Sequence, residues 1–157
     1  MIEGKNIIVT LGEVEHHLGA LLAGKRWSES RKMGLKANGP GWGSNSDLVG
    51  ALCEIAYAKA VNVYFLPTYN TFKAPDVGSI QVRGTTHKNG KLIFRPNDKL
   101  DEVFVLVISN SPDYKVVGWM KGQDIHNLAQ KSNFGSSKKP LAFYATQGQL
   151  RPFPIKT

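Results

Sequence analysis

Six consecutive apolar residues, Val103-Phe104-Val105-Leu106-Val107-Ile108, constrain what this chain can fold into more than any other feature. A short run this rich in β-branched and aromatic side chains is what a central strand needs, because both of its pleat faces are apolar. Asn110 to Asp113 is turn chemistry, and Lys115 to Met120 follows as a partner strand, so a hairpin is expected here. Further upstream, Ile80 to Arg83 alternates apolar and polar, Thr85 to Gly90 carries an Asn89-Gly90 turn, and Leu92 to Arg95 resumes an extended pattern. These segments read as another hairpin.

Helices are expected on the N-terminal side. Thr10 with Glu13 three places on suits a capping box, and Val14, Leu18, Leu21 and Leu22 recur at helical spacing, which predicts a helix from Thr10 to about Gly24. Basic residues from 25 to 36 extend it, and Ala37 to Ser46 is a Gly/Pro loop. Ser46 or Asp47 caps a second helix, Leu48 to about Val61. Its Leu48, Val49, Leu52, Cys53, Ile55 and Ala56 leave little polar face, so it is expected to be buried. Glu54 is the one acid inside it, and such a carboxylate costs about several kcal/mol unless it is neutralised, paired or bound to a cation. A short helix over Gln123 to Gln130, a basic loop over Lys131 to Pro140 and a weak strand over Leu141 to Ala145 complete the chain. The order argues for α/β or α+β, and α/β is the class expected, with one central mixed β-sheet flanked by helices. With 157 residues a single domain is expected, with residues 1–46 leading, 47–122 forming the core and 123–157 a basic C-terminal part.

Charge points to a partner. Lys and Arg number 20 against 12 Asp and Glu, a net charge of +8 that attracts polyanions, so DNA is the expected partner. From Tyr114 onward the basic residues face Asp124 alone. No segment approaches the roughly 20 apolar residues that cross a bilayer, and residues 1 to 10 carry no secretory pattern, so no membrane association and a cytoplasmic location are expected. The single cysteine, Cys53, forms no internal disulfide, and the histidines beside it have no zinc spacing.

Three pieces stand in an informative order: Gly50-Ala51-Leu52-Cys53-Glu54 on the apolar helix, Pro75-Asp76-Val77-Gly78 before a strand, and Gln81-Val82-Arg83 on that strand. This pattern resembles the PD-(D/E)xK nuclease superfamily, the restriction-endonuclease-like fold, in a small phage-type form, over roughly Leu48 to Gly122. The resemblance implies Mg2+ (or Mn2+)-dependent hydrolysis of DNA phosphodiesters, a chemistry in which hard oxygen ligands hold the ion. It assigns Glu54, Asp76, Gln81 and the Val82 carbonyl to the metal, with Asp76 the shared ligand, and Arg83 to the phosphate. Gln81 and Arg83 lie on one strand face because side chains alternate with period two. Gln81 stands where the family has a carboxylate, which lowers the expected metal affinity. Arg83 stands where Lys is usual and stays cationic, so it stabilises phosphate charge and is no general base. Arg26, Arg31, Lys32, Lys73, Lys88, Lys138 and Lys139 are the expected backbone-gripping residues.

Each residue also has a plainer reading. Asp76 is ordinary turn composition, Gln81 and Arg83 are the polar face of a strand, and Glu54 forms a structural salt bridge with Arg83. Asp98, Asp101 and Glu102 are a solvated loop or, functionally, a displaced carboxylate replacing the charge missing at Gln81. His16 and His17 point about 100° apart on a helix and do not share a site. His87 and Lys88 read as a solvated turn tip, His126 as a surface residue, Trp42 as a loop residue able to stack on a base, and Trp119 as core. The leading function is a Mg2+-dependent DNA nuclease, with a homodimer as one possible assembly. The alternatives are a DNA- or protein-binding module on the same fold without hydrolysis, and a basic structural protein.

Overall fold

A computed structural model describes residues 2–32, 45–63, 77 and 79–156. In chain order the elements are β1 (Ile7–Thr10), α1 (Glu13–Lys32), α2 (Asn45–Val61), β2 (Ile80–Thr85), β3 (Leu92–Phe94), β4 (Val103–Asn110), β5 (Asp113–Lys121), α3 (Gly122–Asn127), β6 (Lys131–Ser132) and β7 (Ala142–Ala145). A short 3-10 turn covers Gln147–Gln149. The fold is mixed α/β. Among the described residues no helix is long and apolar enough to cross a membrane.

The apolar run is the centre of the molecule, as its composition requires. β4 lies inside a four-stranded sheet of order β1-β5-β4-β2, antiparallel to β5 and parallel to β2. Val103, Val105 and Val107 turn to the side covered by α2, where Leu52, Cys53, Ala56 and Tyr57 pack. Phe104, Leu106 and Ile108 turn the other way, against Leu92, Phe94, Ala145 and Ile125. Alternation thus feeds two cores from one strand.

The central mixed sheet forms as expected, but it is not the single sheet expected. β3, β7 and β6 form a second, three-stranded antiparallel sheet, which with α3 covers the face of the main sheet opposite α2. For the same reason β2 and β3 are not a hairpin. The chain does turn between them, with Gly90 N–H donating to His87 O at 2.9 Å, but β2 then pairs with β4 and β3 with β7. Leu92 and Phe94 share one pleat face, and burying both requires them over β4's Phe104 rather than beside β2. The β4–β5 hairpin forms as expected.

The N-terminus also differs from expectation. Ile7–Thr10 is a strand paired with β5, and Thr10 spends its hydroxyl on Asp113 Oδ1 at 2.6 Å instead of on a helix cap. The first turn of α1 is closed two residues later, by Gly12 N–H donating to Glu15 Oε1 at 2.8 Å. Burial pushes the Glu15 carboxyl up, but the Gly12 amide and Lys59 outweigh it and leave the group below its ordinary value.

The two ends of the chain meet along β5. A bulge falls where Leu106 pairs with Gly118 and Val107 with Val116, and beyond it Trp119 exchanges backbone hydrogen bonds with Arg151 at 3.1 and 2.9 Å. Gly4 and Phe153 form a further bridge. Gly118 is what lets the tail come this close, because a Cβ there sits 2.8 Å from Arg151 O and 2.9 Å from Leu150 Cβ. Gly118→Ala is therefore expected to cost about 1–3 kcal/mol. The readout is a lower urea midpoint at unchanged m-value, with faster amide exchange at Trp119 and Arg151. A midpoint equal to that of the parent means the tail yields without penalty.

Candidate functional site

β2 decides where the candidate side chains point. Ile80 and Val82 pack on the α2 side, and Gly84 is pressed against α2, its imagined Cβ only 2.5 Å from Cys53 Sγ. Gln81 and Arg83 therefore share the opposite face, as the period-two reading expects. Gln81 Nε2 donates to Glu102 Oε2 at 2.8 Å, and Arg83 Nη2 donates to Asp98 Oδ1 at 2.6 Å. The guanidinium also lies over the Phe104 ring, 5.3 Å from its centroid. Asp98 is itself fixed, since its Oδ2 accepts the Arg95 backbone N–H at 2.7 Å. The acidic segment before β4 thus does more than face solvent: two of its carboxylates meet the two polar residues of β2. The parallel β2–β4 pairing brings them there.

Beside Arg83 opens a cleft of about 610 Å3. Arg83, His87, Lys91 and Arg95 line it, with Thr85 and Asn89, and Ile93, Leu106 and Phe134 supply apolar wall. Among the described residues no carboxylate lines it, and Asp98, paired with Arg83, lies outside the lining. Lys91 Nζ is held 4.5 Å above the Tyr144 ring. Arg83 Nε is buried and has no hydrogen-bond partner among the described residues, so the guanidinium keeps an unused donor. A concave cationic site with apolar walls suits an anion that carries a flat apolar group.

Glu54 stands elsewhere. It is the buried acid of α2, and it pairs with Arg26 of α1 by two contacts, Nη1 to Oε2 and Nη2 to Oε1, the latter at 2.8 Å. The salt bridge expected for Glu54 exists, but its partner is Arg26 and not Arg83. Since α2 covers one face of the main sheet and Gln81 and Arg83 point from the other, the sheet lies between Glu54 and those two residues. Asp76 lies outside the described residues, as do Lys73 and Trp42. Immediately after it, Val77 and Ile80 exchange backbone hydrogen bonds at 3.1 and 2.9 Å, closing a tight turn at the start of β2. Among the described residues no three His, Cys, Asp or Glu side chains converge on a common point. The described members of the implied metal set, Glu54, Gln81 and Val82, thus do not by themselves form a Mg2+ site.

The expected basic grip is dispersed. Arg26 is engaged by Glu54, Arg31 and Lys32 end α1, and Lys88 is exposed at the turn after β2. Lys138 and Lys139 are exposed on the loop before β7. Lys91 and Arg95 were the missed cleft residues, and their signal was present: they alternate with the buried Leu92 and Phe94, so they share the other pleat face. Phe134 carried no sequence signal. The Cys53 thiol is pushed up to about 12 by burial, with the Glu54 charge adding to the effect, so it stays protonated as helix packing. Trp119 is core, its Nε1 donating to Pro152 O at 2.8 Å. His16 bonds Gly12 O and Ser111 Oγ. No family profile, curated protein or solved structure matches the chain.

Proposed function

We propose that this chain binds DNA and that the cleft around Arg83 holds a backbone phosphate. The observation that carries this reading is the cleft itself, where Arg83, Lys91 and Arg95 line one concavity that no carboxylate lines among the described residues, with Asp98 offsetting part of the Arg83 charge. Arg83 is also the residue that the resemblance to PD-(D/E)xK nucleases assigns to the phosphate, so two independent lines meet on one side chain. A guanidinium offers phosphate a planar fork of donors, and Arg83 brings one to the cleft wall.

Mg2+- or Mn2+-dependent phosphodiester hydrolysis on a restriction-endonuclease-like core is the second reading. The tight Val77–Ile80 turn favours it, because the family pattern has such a turn between its Pro-Asp and the following strand. The metal, when bound, supplies charge stabilisation and an activated water. Asp76 is the residue on which its binding depends, and Arg83 stabilises phosphate charge without exchanging a proton.

One experiment separates the readings. Anisotropy titration of a labelled 20-base-pair duplex and of one of its separated strands is expected to show binding that weakens steeply with salt; absence of binding to both at low salt rejects the proposal. Supercoiled plasmid is then incubated with Mg2+ or Mn2+, beside Asp76→Ala. Nicking by the parent that the variant loses supports hydrolysis, intact plasmid with retained binding leaves the module without hydrolysis, and equal nicking by both moves the chemistry away from Asp76.

A further inference from the structure

Phe134 is placed at a cost that folding does not explain. The residue is 45 % exposed and belongs to neither buried core, although burying a phenylalanine stabilises a fold by about 1.5–3 kcal/mol. Its backbone is left-handed, with φ 52°, a conformation that costs a non-glycine residue about 1–3 kcal/mol. The loop nevertheless fixes it there: Phe134 N–H donates to Ser132 Oγ at 2.9 Å and Gly135 N–H to Asn133 Oδ1 at 3.1 Å. Exposure alone is ordinary for a lone apolar residue. What distinguishes Phe134 is position, because the ring stands edge-on to Tyr144, centroids 5.8 Å apart, and lines the cleft that holds Arg83, Lys91 and Arg95.

Resting on the DNA-binding reading, we propose that this cleft takes one unpaired nucleotide of a DNA strand, its base stacked on Phe134 and its flanking phosphates on the three cations. The volume of about 610 Å3 is that of a small-molecule site. A base inside a duplex has both faces covered by its neighbours and offers none to an aromatic side chain, whereas an unpaired base offers its π-face regardless of sequence. The preferred substrate class is thus single-stranded DNA, or duplex DNA at an unpaired position.

The test uses the full chain and three labelled probes: a dT 12-mer, the same 12-mer with abasic sugars at its central positions, and a 12-base-pair duplex. The dT 12-mer is expected to bind more tightly than the abasic strand. Phe134→Ala is expected to weaken dT binding by about 5- to 150-fold, the range of one base–aromatic stack, and to leave abasic and duplex affinities unchanged. Phe134→Trp is expected to restore the preference. Equal losses on all three probes, or an unaltered dT affinity in Phe134→Ala, overturn the inference while leaving the phosphate site standing. Absence of binding to every probe at 50 mM salt overturns both.

Discussion

Glu54→Ala is expected to cost the fold about 3–5 kcal/mol, near the lower end of that range because Arg26 keeps 18 % of its side-chain exposure. α2 is apolar on nearly all sides, with residues 51 to 58 buried, and Glu54 is the acid inside that stretch. Its carboxylate meets the Arg26 guanidinium through both oxygens, so truncation takes a two-point anion away from a desolvated cation. Such a loss exceeds what either charge contributes in water. Replacing both residues, Arg26→Met with Glu54→Leu, is expected to return most of the stability, since two apolar side chains of similar bulk suit the α1–α2 contact. Urea unfolding of the parent, the two single variants and the double variant gives the coupling directly. A Glu54→Ala loss under about 1 kcal/mol sinks the account. The double variant also separates structure from chemistry: if it folds and still nicks plasmid, Glu54 serves α1–α2 packing and not a metal ion.

Local patterns in the chain were legible wherever one element sufficed to determine the outcome. Val103 to Ile108 declares a central strand by composition alone, and its hairpin with β5 follows from the Asn110–Asp113 turn. Residues 48 to 61 declare a buried helix by lacking a polar face. Partners chosen across long distances were not legible. The Asn89-Gly90 turn reverses the chain but carries no instruction about pairing, and β3 goes to β7, some fifty residues on, because that is where its Leu92 and Phe94 find cover. Ile7–Thr10 is four residues long, too short for alternation to stand out against the helix that follows. The same distinction divides the candidate site. Period two put Gln81 and Arg83 on one face correctly, yet their partners, Glu102 and Asp98, depend on parallel pairing with β4. That Glu54 needs a cation is legible in its apolar surroundings, but which cation depends on how α1 crosses α2.

Neutralising the cleft is expected to have the largest effect on binding. In the combined variant Arg83→Gln, Lys91→Gln and Arg95→Gln, the slope of log affinity for duplex DNA against log salt should fall by about one unit, since the cleft holds one backbone phosphate and each neutralised phosphate accounts for roughly 0.9. One such phosphate corresponds to roughly a 3- to 4-fold share of the parent's loss between 50 and 200 mM salt. The loss should be uniform across sequences, because phosphate contacts position DNA without reading it. Folding should survive. Arg83 and Asp98 are a partly exposed pair, with 26 % and 18 % of their side chains accessible, and Asp98 keeps its bond from the Arg95 backbone in the variant. Lys59→Gln serves as the matched control, since Lys59 is tied to Glu15 and Thr10 on the helix-covered side of the sheet and should leave the slope unchanged. Should the triple variant keep the parent's slope while Lys138→Gln with Lys139→Gln lowers it, the phosphates lie along the loop before β7 and not in the cleft. A drop confined to the triple variant ties affinity to one concavity, where the same three charges that attract a polyanion line the cleft together with Phe134.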